Sequence, residues 1–177
     1  MPEPVAYFIT WPTYGTWLPG DERGWVKNGE GWQLPNPMRE LEAHAKMTEG
    51  ACILDAEQRE LVQQTITQHC QIRGWELHAV NCRTNHVHVV VTADRSPSEV
   101  RVQFKAWSTR RLKELEKRRG MKQVRENWWA ERGSDRFIND NDSLELATVY
   151  VRDYQDDPER YRLETHEADA AKHGNHR

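Results

Sequence analysis

Paired cysteines are missing from this sequence. The three that occur, Cys52, Cys70 and Cys82, are odd in number, scattered, and without the close spacing of a zinc ribbon or a disulfide framework. A reducing compartment is expected. A long apolar run is missing too: nothing approaches the roughly 20 residues that a membrane-spanning helix needs. The start, Met1-Pro2-Glu3-Pro4, has neither the basic residues nor the apolar stretch of a secretory leader. No membrane partner and a cytoplasmic location follow as expectations. Large net charge is a third absence, since a formal charge of −3 gives no global attraction to nucleic acid.

The charge that is present is unevenly placed. Between Arg101 and Arg125 ten Lys/Arg face only Glu114 and Glu116, a net +8, whereas the remaining 15 basic and 26 acidic residues leave −11 elsewhere. Such asymmetry suits a local anionic partner, and equally suits a solvated helix face.

Val5 to Trp11 has strand composition and is stopped by Pro12. Thr13 to about Lys46 is rich in Gly, Pro and Trp without sustained period, and is expected to be a long ordered loop. Its Trp17, Trp25 and Trp32 are expected to pin that loop to the core, with base stacking as the functional alternative. Asp55 and Gln58 form a capping box ahead of a helical run that Gly74 ends. Trp75–Val80 and His86–Thr92 then predict an antiparallel hairpin joined by 81–85.

Ser96-Pro97-Ser98-Glu99 starts a second helix, with Val100, Phe104, Trp107 and Leu115 on one face. Trp128-Trp129 and Arg136–Ile138 suggest a further short strand pair. Asp142 with Glu145 is expected to cap a last helix carrying Leu144, Ala147 and Val151. There is no internal repeat. This order predicts an α+β, ferredoxin-like sandwich: a central antiparallel sheet with helices packed on one face. A single domain over 1–158, containing the loop 13–46, and a polar tail over 159–177 complete the expected organisation.

In Thr84-Asn85-His86-Val87-His88-Val89-Val90-Val91 the alternation of a strand puts His86 and His88 on one face and the valines on the other. Two imidazoles with Cα atoms about 6–7 Å apart suit a shared divalent metal. Two half-buried histidines with ordinary hydrogen-bond partners would give the same pattern. Pairing Val80 with His86 would add His78 across from His88, and a one-residue slip would remove it. On the last helix Tyr150 lies toward the edge of the apolar stripe and Tyr154 close to its centre, so Tyr150 is the tyrosine available for chemistry.

Asn85-His86-Val87-His88 with its valines, the basic helix, and Tyr150-Val151 with Gln155 roughly sixty residues downstream resemble the HUH single-tyrosine transposases. That family includes insertion-sequence single-strand transposases and REP-associated tyrosine transposases. Phe8-Ile9-Thr10-Trp11 and the stretch Thr13 to Gly24 are similar to one of its branches. The resemblance runs from about Ala6 to Gln155. It implies a metal-dependent single-stranded DNA endonuclease and strand transferase, often guided by a nearby DNA hairpin. His86 and His88 would hold Mg²⁺ or Mn²⁺, and Tyr150 would attack to leave a 5′-phosphotyrosine without ATP.

Arg101, Lys105, Arg110 and Arg111 are the candidate DNA contacts on the basic helix. Members act as dimers with exchanged tyrosine helices or as monomers, so a homodimer is one expected form, in a nucleoid-associated setting. One departure stands out. The family carries Gln or Asn four residues after the nucleophile, where this sequence has Tyr154; glutamine follows at Gln155, about 140° from Tyr150 on an α-helix. A distorted helix end that makes Gln155 the third ligand, Asp153 in that role, or an idle site would each account for it, and the first is the expectation. The remaining alternatives are a domesticated nucleic-acid-binding module of the same fold and a small zinc or iron enzyme resting on the histidine pair alone.

Overall fold

The computed structural model describes residues 3–154, the side chain of Tyr154 excepted. They run β1 (Ala6–Pro12), β2 (Trp25–Lys27), β3 (Gly31–Gln33), α1 (Pro37–Ala45), α2 (Ala56–Arg73), β4 (Glu76–Cys82), β5 (His86–Thr92), α3 (Pro97–Arg118), β6 (Ser134–Ile138) and α4 (Asn141–Val149), with a π-helical turn over Tyr150–Tyr154. The expected tail over 159–177 lies outside the described residues.

Local chemistry starts the two long helices where the sequence predicts. The Asp55 carboxylate accepts from the Gln58 amide at 2.9 Å while Gln58 Oε1 accepts from the Asp55 amide at 2.9 Å. Ser96 and Glu99 repeat the arrangement at α3. Each satisfies amides that a helix start leaves without a partner. Gly74 ends α2 in the left-handed region, φ 68°, at little steric cost to a residue without Cβ.

The main sheet is antiparallel throughout, in the order β4-β5-β1-β6. Its pleat divides the side chains cleanly. Ile9, Trp11, Val87, Val89 and Val91 face α2 and α3 and form the main core with Val62, Ile66, Val100, Phe104 and Leu112. Burying such side chains stabilises the fold by about 1.5–3 kcal/mol each before entropy is counted. The opposite face carries Phe8, Thr10, His86, His88 and Val90, and there α4 and the π turn close a smaller cluster of Ala6, Val90, Ile138 and Val151. The architecture is the expected α+β sandwich, with the long helices on one face and the short last helix shielding part of the other.

Several local expectations are corrected. β4 continues through Asn81 and Cys82, so only Arg83–Asn85 join the hairpin. Val80 pairs with Val89, not His86, and an irregularity between Leu77 and Ala79 places His78 out of the ladder. The stretch 13–46 is not a plain loop: it holds the β2–β3 hairpin and α1. Within it Trp25 is buried, while the exposed Trp17 and Trp32 pack edge to face on one another with ring centroids 6.3 Å apart. The buried stripe of α3 passes through Ser108 instead of Trp107, which is left partly exposed. β6 pairs with β1 and not with Trp128-Trp129, and Trp129 makes only an isolated bridge to Thr13. Asp140, two residues before the expected position, caps α4 by accepting from the Ser143 amide.

Candidate active site

β5 delivers His86 and His88 to the same face, as strand alternation requires, with ring centroids 4.7 Å apart. Each imidazole is held at Nδ1. His86 Nδ1 lies 2.6 Å from Asn85 Oδ1, and His88 Nδ1 lies 3.1 Å from Thr10 Oγ1 on the neighbouring strand, where Thr10 and His88 are register partners. When Nδ1–H donates to these oxygens, Nε2 of each ring is the nitrogen that can ligate. Such outer contacts are how metal-binding histidines are fixed in tautomer and orientation.

Both rings are kept neutral near pH 7. Burial lowers the His86 pKa first, with Arg83 and Arg23 adding to it; burial also pulls His88 down to about 3, helped by His86 and Arg83. Neutral imidazole is the form that binds metal.

The 13–46 stretch explains where the Asn85 end of this strand is anchored. The Asn85 carbonyl accepts from the Thr13 amide at 2.8 Å and from the hydroxyls of Thr13 and Thr16 at 3.1 and 3.3 Å. Arg23 donates to the Thr16 carbonyl and to the Asp21 carboxylate, and lies over the Trp17 ring. Thr10, Thr13, Thr16, Arg23 and Arg83 were not singled out as site residues from the sequence. Threonines adjoining a Gly/Trp-rich stretch carry no signal of their own until β1 and β5 are paired.

Tyr150 reaches His88 from the end of the last helix. Its ring centroid is 6.0 Å from that of His88 and 6.1 Å from that of Phe8, and Phe8 stacks on His88 at 5.5 Å. Tyr150 opens the π turn, the distortion expected at this helix end. A turn that bonds residue i to i+5 rather than i+4 widens the helix. Gln155 itself lies outside the described residues.

The two other ligand candidates are not at the site. His78 Nε2 meets Thr92 Oγ1 at 2.8 Å, and in the actual register Asn81, not His78, stands across from His88. The exposed Asp153 carboxylate is paired with Arg152 at 2.7 Å.

Over residues 48–153 the chain matches the family model described as "Transposase IS200 like". The chain belongs to the IS200-like transposase family. Solved structures similar to this transposase-family chain include a REP-associated tyrosine transposase bound to a REP hairpin, at 14% identity and a TM-score of 0.45, covering 85% of this chain and 66% of that one. They also include a proposed transposase from Deinococcus radiodurans R1, at 13% identity and a TM-score of 0.43, covering 82% and 88%. A search of curated proteins returns no match.

The basic helix of this transposase-family chain does not converge on the histidines, because α3 covers the opposite face of the sheet. Arg101 is ion-paired with Asp135, and Lys105 Nζ donates to the carbonyls of Ala130, Glu131 and Arg132 at 2.8, 3.3 and 3.2 Å. Burial pulls the Lys105 ammonium down to about 8, chiefly by desolvation. Lys105 ties the segment before β6 to α3, and Arg101 ties β6 itself to α3. Arg110 and Arg111 both pair with Glu114 on the exposed side of the helix.

As a metal site the donor set is two imidazole nitrogens. Among the described residues no cluster of three or more His, Cys, Asp and Glu is assembled. Two neutral, oriented imidazoles fit a divalent ion that takes its remaining ligands from phosphate and water. No helix among the described residues is long and apolar enough to cross a membrane.

Proposed function

We propose that this chain is a metal-dependent single-stranded DNA endonuclease and strand transferase in which Tyr150 is the nucleophile. The observation that carries the reading is the convergence of Tyr150 on His88, at 6.0 Å between ring centroids, from an element 62 residues downstream. Chemistry of this kind needs a nucleophile beside the group that binds the scissile phosphate.

His86 and His88 hold Mg²⁺ or Mn²⁺ through Nε2, with Gln155 as the proposed third protein ligand. When bound, the ion supplies Lewis-acid polarisation of the phosphate. The Tyr150 phenolic oxygen attacks phosphorus; the bond from phosphorus to the 3′-oxygen breaks, the phenolic proton is lost, and the departing oxygen takes up a proton. The products are a 5′-phosphotyrosine and a 3′-hydroxyl. One phosphodiester replaces another, so a second 3′-hydroxyl can reverse the step and join strands. The substrate we propose is single-stranded DNA flanked by a hairpin. Arg23 and Arg83 supply positive charge beside the histidines, and Arg110 and Arg111 a more distant contact.

Incubating the protein with hairpin-bearing single-stranded DNA and Mn²⁺ should yield a covalent adduct that survives denaturation. Tyr150→Phe should abolish it and Tyr154→Phe should not. An adduct that persists in Tyr150→Phe would remove the nucleophile assignment. No adduct with either ion would remove the transferase reading.

A further inference from the structure

α4 is regular until Val149, and the helix then widens at the residue proposed to do the chemistry. Wide turns of this kind have identifiable causes, among them a side chain that donates into the carbonyl ladder. One such side chain is present. Asn81 Nδ2 donates to the Val151 carbonyl at 3.1 Å across 70 positions of sequence. In an α-helix that carbonyl would accept from the amide four residues on.

Asn81 also occupies a telling place in the sheet. It is the β4 partner of His88, and Thr10 is the β1 partner, so the three lie in one cross-strand row. Thr10 orients the imidazole from one side. From the other side Asn81 grips the backbone one residue beyond Tyr150. The Val151 side chain is fully buried in the smaller cluster with Ala6, Val90 and Ile138. Residue 151 is thereby fixed to the sheet at both its side chain and its carbonyl, and Tyr150 is carried on that fixed point.

We propose that Asn81 is a positioning residue that holds the π turn open and so sets Tyr150 against His88. It acts through the Val151 carbonyl and touches neither DNA nor metal. The inference rests on the reading of Tyr150 as nucleophile for its kinetic consequence, though not for its structural one. Burial of Val151 alone fixes where the helix touches the sheet; it does not fix how the turn is wound, and the winding decides the direction of the neighbouring side chain.

The test uses the full chain with Asn81→Leu and Asn81→Ala, the second serving if the first does not fold. In DNA-free protein, nuclear Overhauser contacts between the Tyr150 and His88 rings should be present in the wild type and lost in the variants. At saturating hairpin DNA and Mn²⁺ the adduct rate should fall by about tenfold to a hundredfold, the usual consequence of misplacing a reacting group by an ångström. The dissociation constant for the DNA should be unchanged. Retained ring contacts with a wild-type rate would overturn the proposal, and so would a parallel loss of rate and DNA affinity. If the wild type forms no adduct, the nucleophile reading has failed, and the ring contacts alone decide the role of Asn81.

Discussion

Thr10 and Asn85 each offer one oxygen to the Nδ1 of a histidine, and the two contacts together decide which imidazole nitrogens face outward. Thr10→Val keeps shape and removes the acceptor. His88 then loses its preference for the tautomer that ligates through Nε2. Mn²⁺ affinity measured by calorimetry should fall about tenfold to a hundredfold, the usual effect of losing such an outer contact, with the fold intact by circular dichroism. Equal affinity would mean that β-strand geometry orients His88 without help. The histidines themselves were legible because alternation in a strand is a property of adjacent residues. The anchor of His88 was not, since Thr10 is 78 positions away.

Elements show the same division. The caps of α2 and α3 depend on residues three apart, and both were legible. Gly74→Ala adds a Cβ that meets nothing within 4 Å, so its cost is only the left-handed backbone, about 1–2 kcal/mol in urea unfolding. A neutral result would mean that the α2 end relaxes out of that conformation.

Asp55 adds a pH dependence to the same element. Its hydrogen bond with Arg119 is the main cause holding its carboxyl below the ordinary 3.8. The unfolded chain takes up the proton first, so this stabilisation is complete above pH 3.8 and is lost as pH falls through the lower folded value. Arg119→Gln should flatten the acid side of a stability–pH curve measured by urea midpoints. An unchanged curve would assign the acid limb to other carboxylates. The strand β4 was less legible, because the irregularity at His78 shifts one register relative to the next and no periodicity announces it.

For the whole molecule, the two faces of one sheet separate stability from chemistry. Phe104 is fully buried and its ring centroid lies 6.3 Å from that of Trp11 and 6.0 Å from that of Trp75, so it joins β1, α3 and the start of β4. Phe104→Ala should cost about 3–5 kcal/mol in a single cooperative unfolding transition. A loss confined to α3, with β1 and β5 still protected from hydrogen exchange, would show that the core is not one unit. On the other face, substitution of His86 or His88 should change the urea midpoint little, because their rings face the site, whereas Val90 belongs to the smaller buried cluster there.

By itself the sequence determined the α+β order, the strand carrying His86 and His88, and the helix starts, since all of these rest on spacing between near neighbours. Its resemblance to the family also marked a departure, Tyr154 where the family carries Gln or Asn. The tertiary structure alone decided how the last helix ends, in a π turn that opens at Tyr150. A side chain of β4 enters the backbone ladder of the last helix, and only sheet register and helix packing bring Asn81 to Val151. The same packing turned the basic helix away from the histidines, because its Val100, Phe104 and Leu112 fill the core on the other face. Charge pattern along a chain says which residues cluster on a helix, and burial of that helix's apolar side decides which way the cluster looks.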